Sequence, residues 1–152
     1  MDYWLFFTYL GACGAAAATG ALFSPGEWYE GLDKPGWTPP NWAFPIAWTI
    51  MYVCMALAAM RVAPLAGSAM AMGFWAIQVT LNALWSPVFF GLKRMRAALV
   101  VVSLMWVAVA ATLFSFFRLD TVAGLLFLPY LTWVTIAAAL NLSVLRRNPE
   151  MA

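Results

Sequence analysis

The chain has 152 residues, 65% of them hydrophobic and only 9% charged, with a net charge of +2. Soluble domains carry about 25% charged residues, so this chain cannot cover a water-facing surface, and a lipid bilayer is the expected solvent. The small net charge gives no argument for a nucleic-acid partner. The complete lack of histidine removes the commonest metal ligand, general base and haem axial ligand, so no metal site or cofactor is expected.

Five apolar runs follow one another, at residues 4–23, 43–62, 68–90, 97–117 and 121–145. Each is close to the roughly 20 residues that a helix needs to cross the hydrocarbon core. The runs are continuous rather than alternating, which predicts helices and not a β-barrel. The expected fold class is an all-α integral membrane protein, a five-transmembrane-helix bundle forming a single membrane domain over residues 1–152. Asp2 and the lack of Lys or Arg at the start argue against a cleaved signal peptide in the first run. That run, "GACGAAAATGA", pairs Gly11 with Ala15 and Gly14 with Ala18, a predicted close-packing surface. Cys13 and Cys54 lie in apolar runs and read as small buried hydrophobes.

Between the first two runs lies "LDKPGWTPPNWAFPIAW". Pro35, Pro39 and Pro40 fix φ, so residues 24–42 are expected to be a stiff extended loop. Asn41 is the candidate N-cap of the second helix. Trp28, Tyr29, Trp37 and Trp42 would then sit at the membrane surface, as an interfacial belt or as a lid, and the stiffness of the loop favours a lid. Within the second run Phe44, Trp48 and Tyr52 recur every four residues.

The third run has two faces. Trp75, Gln78, Asn82, Trp85 and Phe89 form one stripe at helical spacing, while Ala69, Gly73, Ala76, Thr80, Ala83 and Pro87 form another opposite it. Amides are costly against lipid, so the first stripe should face the interior, as interhelical glue or as ligand contact. The second is open to packing within one bundle or to dimerisation, and a dimer interface is expected because the opposite stripe is needed inside. On the fifth run Tyr130, Trp133, Ala137 and Asn141 share a face. Three aromatic faces, two amides and no mid-span charge describe a cavity for a flat, largely apolar molecule held by stacking and a few hydrogen bonds.

Charge asymmetry orients the chain. Lys34, Lys93, Arg94, Arg96, Arg146 and Arg147 gather on one side, with only Arg61 and Arg118 on the other. The positive-inside rule puts the proline-rich loop and the C-terminus toward the cytoplasm. All six acids lie in loops or at run ends, which speaks against an ion-coupled pump.

Three ordered motifs, "WYEGLDKPGWTPPNWAFPIAWTIMY", "QVTLNALWSPVFFG" and "PYLTWVTIAAALN", closely resemble the tryptophan-rich sensory protein / translocator protein family, also called the peripheral benzodiazepine receptor family. The resemblance covers nearly the whole chain. It implies a five-helix bundle, usually a homodimer, that binds porphyrins, sterols in animals, and isoquinoline or benzodiazepine-type drugs. Carried onto this sequence, it implies a ligand pocket of Trp37, Trp42, Trp48, Tyr52, Asn82, Trp85, Trp133 and Ala137. Some members have been proposed to degrade protoporphyrin in light, and the corresponding residues are Trp48, Tyr52 and Trp133. The sequence departs from animal members where Leu142 follows Asn141 with no tyrosine near Arg146, and at Ala97, where they carry tryptophan. These departures weaken the expectation of sterol selectivity and favour a bacterial membrane. Three functions therefore compete: a tetrapyrrole sensor or transporter, a light-dependent porphyrin-degrading enzyme, and a scaffold whose aromatic interior is packing.

Overall fold

The computed structural model describes residues 2–151. Met1 and Ala152, the ends of the expected single domain, lie outside them. Regular structure is helical throughout, with no strand among the described residues. Helix α1 spans Tyr3–Leu22, α2 Glu27–Glu30, α3 Ala43–Val62, α4 Ala69–Ser86, α5 Met95–Leu119 and α6 Thr121–Arg147. Four of them, α1, α3, α5 and α6, are long and apolar enough to cross a membrane. The 18-residue α4 is the helix that carries Gln78 and Asn82 inward.

The helix ends follow from local chemistry. Asp2 caps α1, its carboxylate accepting from the amides of Trp4 at 3.1 Å and Leu5 at 3.4 Å. Asp120 both ends α5 and starts α6: its amide donates to the Phe116 carbonyl at 2.7 Å and its carboxylate accepts from the Ala123 amide at 2.8 Å. The same carboxylate takes a two-pronged ion pair from Arg61 at the end of α3, at 2.8 and 3.1 Å. This single-residue turn needs Gly124, because a Cβ there would lie 2.6 Å from the Phe117 backbone.

The long helices close a ring in which α1 packs against α3 and α4, α4 against α5, α5 against α6, and α6 against α3. The core inside it is built from Met55, Trp75, Met105, Phe116, Phe127, Tyr130 and Val134. A second apolar cluster, with Tyr29, Leu32, Phe89, Met95, Leu140 and Val144, fills the end of the ring beneath the 24–42 loop.

Several expectations are corrected. Asn41 does not cap α3. Trp42 holds the capping position with helical φ and ψ and makes no side-chain cap bond. The Ala43 amide is taken by the Pro40 carbonyl at 2.9 Å, and Pro45, two residues into the helix, has no amide to offer. The 24–42 loop is not extended throughout, since it begins with the helical turn α2. Lys34 satisfies the exposed carbonyls near that turn by donating to Tyr29, Glu30 and Leu32 at 2.7, 3.1 and 3.2 Å. Two of its aromatics turn inward. Trp28 meets Phe89 edge-on at 5.7 Å, and buried Tyr29 meets Phe90 edge-on at 5.4 Å. Trp37 and Trp42 stay exposed.

Helix α4 does not run on unbroken to Phe90. Pro87 lacks an amide and crowds the preceding turn, and the chain widens into a π-helical turn over Pro87–Gly91, with the Leu92 amide reaching the Pro87 carbonyl at 2.8 Å. The small residues of α1 that suggested close packing, Gly11, Gly14, Ala15 and Ala18, are exposed; its inward face is Cys13 and Ala16. Cys54 is only half-buried, and both cysteines are free thiols.

Candidate functional site

A cavity of ≈ 420 Å³ opens between the C-terminal half of α1 and the N-terminal half of α3, under the 24–42 loop. Each wall reflects its sequence. Helix α1 contributes Ala17, Gly20 and Ala21, whose lack of bulk makes the space. Helix α3 contributes Phe44, Trp48 and Tyr52, the aromatic stripe spaced one helical turn apart. Helix α4 and its π turn supply Asn82, Trp85, Ser86 and Phe90, and the loop supplies Tyr29 and Asn41. No lining residue is charged.

Polar groups at the cavity's inner end are tied together across the ring. The Tyr52 hydroxyl donates to Asn82 Oδ1 at 3.0 Å, and Asn82 Nδ2 donates to the buried Tyr130 hydroxyl at 2.8 Å. Tyr130 in turn points its hydroxyl at Met105 Sδ at 3.8 Å. One amide thus joins α3, α4 and α6. A second bridge runs from Trp85 Nε1 to Asn141 Oδ1 at 3.3 Å and from Asn141 Nδ2 to the Met95 carbonyl at 3.1 Å. On the same inward face of α4, Trp75 Nε1 donates to the Met55 carbonyl at 3.2 Å. Gln78, between them, is fully buried, and neither its Oε1 nor its Nε2 has a protein partner. Trp133 Nε1 is likewise buried without an acceptor. Outside the membrane-spanning helices, burial of Tyr29 on α2 raises the pKa of its hydroxyl, which is neutral at physiological pH in any case.

The expected pocket residues fall into four groups. Trp48, Tyr52, Asn82 and Trp85 line the cavity. Ala137 lines a small adjoining space of ≈ 20 Å³, which shares Tyr29, Phe44, Trp85 and Phe90 with the larger one. Trp133 stands behind the wall, edge-on to Trp48 at 6.4 Å and to Phe44 at 5.7 Å. Trp37 and Trp42 are not among the lining residues. Sequence reasoning placed Tyr29 in the lid loop but not in the cavity wall, and did not place Phe90, Met105 or the α1 residues at the cavity. Phe44 was visible as the first member of the α3 stripe, whereas Ala17 and Gly20 carry no signal beyond small size.

The arrangement can hold a flat apolar molecule by stacking on Trp48, Tyr52 and Trp85 and by a few hydrogen bonds. Among the lining residues no nucleophile is paired with a base. The model of the TspO/MBR family matches residues 6–147 of this chain. The chain belongs to the TspO/MBR family. It is 59% identical over 148 residues to the tryptophan-rich sensory protein of Cereibacter sphaeroides, covering 97% of this chain and 94% of the relative. It is 48% identical over 153 residues to protein CrtK of Rhodobacter capsulatus, covering 98% and 96%. It is 35% identical over 137 residues to the translocator protein of Homo sapiens, covering 85% and 81%. As a TspO/MBR protein with several apolar helices, the chain is a membrane protein.

Proposed function

We propose that this TspO/MBR protein is a five-span membrane receptor, with α4 as the additional span, that binds a porphyrin or another flat apolar ligand in the α1–α3 cavity, as part of tetrapyrrole sensing or transport. The observation that carries this reading is the lining itself: stacked and edge-on aromatics around an uncharged space, with Asn82 as its fixed polar point. A volume of ≈ 420 Å³ lies within the range of about 300–1,000 Å³ usual for small-molecule sites. With no cation in the lining, the carboxylates of a porphyrin would stay at the mouth, where Ser24 and Asn41 are exposed. The absence of histidine means that a bound haem would be held without imidazole ligation. Isoquinoline- and benzodiazepine-type drugs suit the same lining, and the missing tyrosine near Arg146 argues for weak sterol selectivity. The protein would sit in a bacterial membrane with the 24–42 loop on the cytoplasmic side, as a homodimer joined through Ala69, Gly73, Ala76, Thr80 and Ala83.

The test is a tryptophan-fluorescence titration with protoporphyrin IX in darkness. Saturable quenching that weakens in Trp48→Leu and Asn82→Leu is the expected result; equal quenching in both variants and wild type would remove the cavity from the argument. A second reading, light-dependent porphyrin degradation, draws on the aromatic chain in which Trp48 stacks on Tyr52 at 5.7 Å and stands edge-on to Tyr130 at 6.1 Å and Trp133 at 6.4 Å. Illuminating the same samples separates the two, because degradation requires new products that disappear in Trp48→Phe.

A further inference from the structure

We infer that Asn148 is a positioning residue that latches the 24–42 loop over the cavity and sets how fast a ligand enters and leaves. This rests on the binding function proposed above. Asn148 lies just past the last residue of α6 and does not line the cavity. Both polar atoms of its side-chain amide are engaged. Oδ1 accepts from the Asp33 amide at 2.9 Å, while Nδ2 donates to the Asp33 carbonyl at 2.9 Å and to the Val144 carbonyl at 2.8 Å. The amide thus pairs with both sides of Asp33 as a neighbouring strand would, while its third bond fixes it to its own helix.

Among the described residues, every side-chain hydrogen bond between the loop and the long helices runs to Asn148 or its neighbour Arg147. The Arg147 contact, to the Asp33 carboxylate at 3.5 Å with both groups exposed, is the weaker one. From Asp33 the connection to the cavity is short. Leu32 is buried and its amide bonds the Tyr29 carbonyl at 3.2 Å, and Lys34 clamps the Tyr29, Glu30 and Leu32 carbonyls together. Tyr29 is itself a wall of both the large and the small space. The loop segment from residue 29 to 34 therefore moves as a unit, held by apolar packing of Tyr29 and Leu32 on one side and by one amide on the other. Releasing that amide lowers the cost of lifting Tyr29 and leaves the rest of the cavity unchanged.

The bonds go to the Asp33 backbone, which makes the proposal separable from charge. Asn148→Ala should break the latch, whereas Asp33→Asn, which removes only the ion pair, should leave it closed. Two measurements decide. The first is hydrogen–deuterium exchange of the ligand-free protein in detergent, where Asn148→Ala should speed the amides of residues 29–34 about tenfold and leave those of α4 and α5 unchanged. The second is stopped-flow tryptophan quenching by protoporphyrin IX in darkness. There the association and dissociation rates should rise together in Asn148→Ala, severalfold, with the dissociation constant changing less than either. Both readouts should be near wild type in Asp33→Asn. Unchanged loop exchange in Asn148→Ala would overturn the latch whatever the ligand does. Faster loop exchange with unchanged porphyrin rates would overturn the gate and leave the binding function standing. Wild-type protein that shows no saturable quenching would overturn the binding function, and the gate with it, while the exchange data still report on the latch.

Discussion

Replacing Asn82 by leucine tests whether one amide holds three helices together at the cavity floor. The change removes hydrogen bonds of 3.0 Å to Tyr52 and 2.8 Å to Tyr130. The two tyrosines then fare differently. Tyr52 lines the cavity and is half-buried, so its hydroxyl can turn to water or ligand there. Tyr130 is 0% exposed and retains only its 3.8 Å contact to the Met105 sulfur. Interhelical hydrogen bonds in membrane proteins average about 0.6 kcal/mol and reach about 1.7, whereas a buried group left unsatisfied costs about 1–3 kcal/mol. The orphaned Tyr130 hydroxyl therefore dominates, and Asn82→Leu should destabilise by about 1–3 kcal/mol, at roughly 2–4 °C of melting temperature per kcal/mol for a chain of this size. Tyr130→Phe alone should cost about 1 kcal/mol by leaving the Asn82 amide short of a partner. The double variant should cost clearly less than the sum, because removing both partners leaves nothing unsatisfied. Thermal unfolding of wild type, both single variants and the double variant in one detergent gives the cycle. Additivity within about 0.5 kcal/mol would mean that the two side chains do not depend on each other, and the cavity floor would have to be redrawn.

Four shorter tests bear on other elements. Gly124→Ala forces a methyl against the Phe117 backbone and should lower stability by about 1–3 kcal/mol; Gly14→Ala, with nothing within 4 Å of its Cβ, should be neutral or stabilising in the same melt. Gln78→Met removes two unpartnered polar atoms from a fully buried site and should raise the melting temperature, so a drop would mean that Gln78 gains a partner. Arg61 beside Asp120 holds its carboxyl below the usual carboxylate range, so the pair's stabilisation is present above the unfolded pKa of about 3.9 and is lost as pH falls through the lower folded value. A melt series from pH 6 down to the acid limit should show that loss in wild type and not in Asp120→Asn. Ala76→Phe and Ala83→Phe should weaken a dimer in light scattering while leaving helix content intact, and two fully dimeric variants would refute the proposed interface.

Much of the long-helix architecture was legible because its signals are local. On α4 and its π turn the spacing of Trp75, Gln78, Asn82, Trp85 and Phe89 forecast an inward face: Trp85 is half-buried and the other four are buried, while on the opposite stripe Ala69, Gly73, Ala76 and Thr80 are exposed and Ala83 and Pro87 half-buried. What escaped was set by distant partners. The small residues of α1 could equally have faced a neighbour, and only the ring order turns Gly11 and Gly14 outward. Asn41 had a capping side chain, but Pro40 already supplied the acceptor. The bond between Asn148 and Asp33 joins residues 115 apart in sequence, and nothing at either position advertises it beyond an asparagine before a proline. Trp37 and Trp42 were expected in the pocket from the family resemblance, and the stiffness of the loop suggested a lid that carried Trp28 and Tyr29 as well; stiffness says nothing about which side of a loop faces in, and here Trp28 and Tyr29 are the ones that pack against the ring.

A cavity lined this way sets limits on selectivity that follow from its chemistry. An apolar wall discriminates a ligand from one with an extra or missing methylene by only about 10–200-fold. The polar points are few, and Asn82 already spends its oxygen on Tyr52 and one amide hydrogen on Tyr130. A ligand that bonds Asn82 must therefore use its remaining hydrogen, share its oxygen with Tyr52, or displace Tyr52, which lies on the same wall and can follow it. As a binding site it would be shape-selective and chemically permissive. It should accept flat molecules of several classes that stack on Trp48 and Trp85, and reject those carrying a charge deep in the ring, where no counter-ion waits among the lining residues.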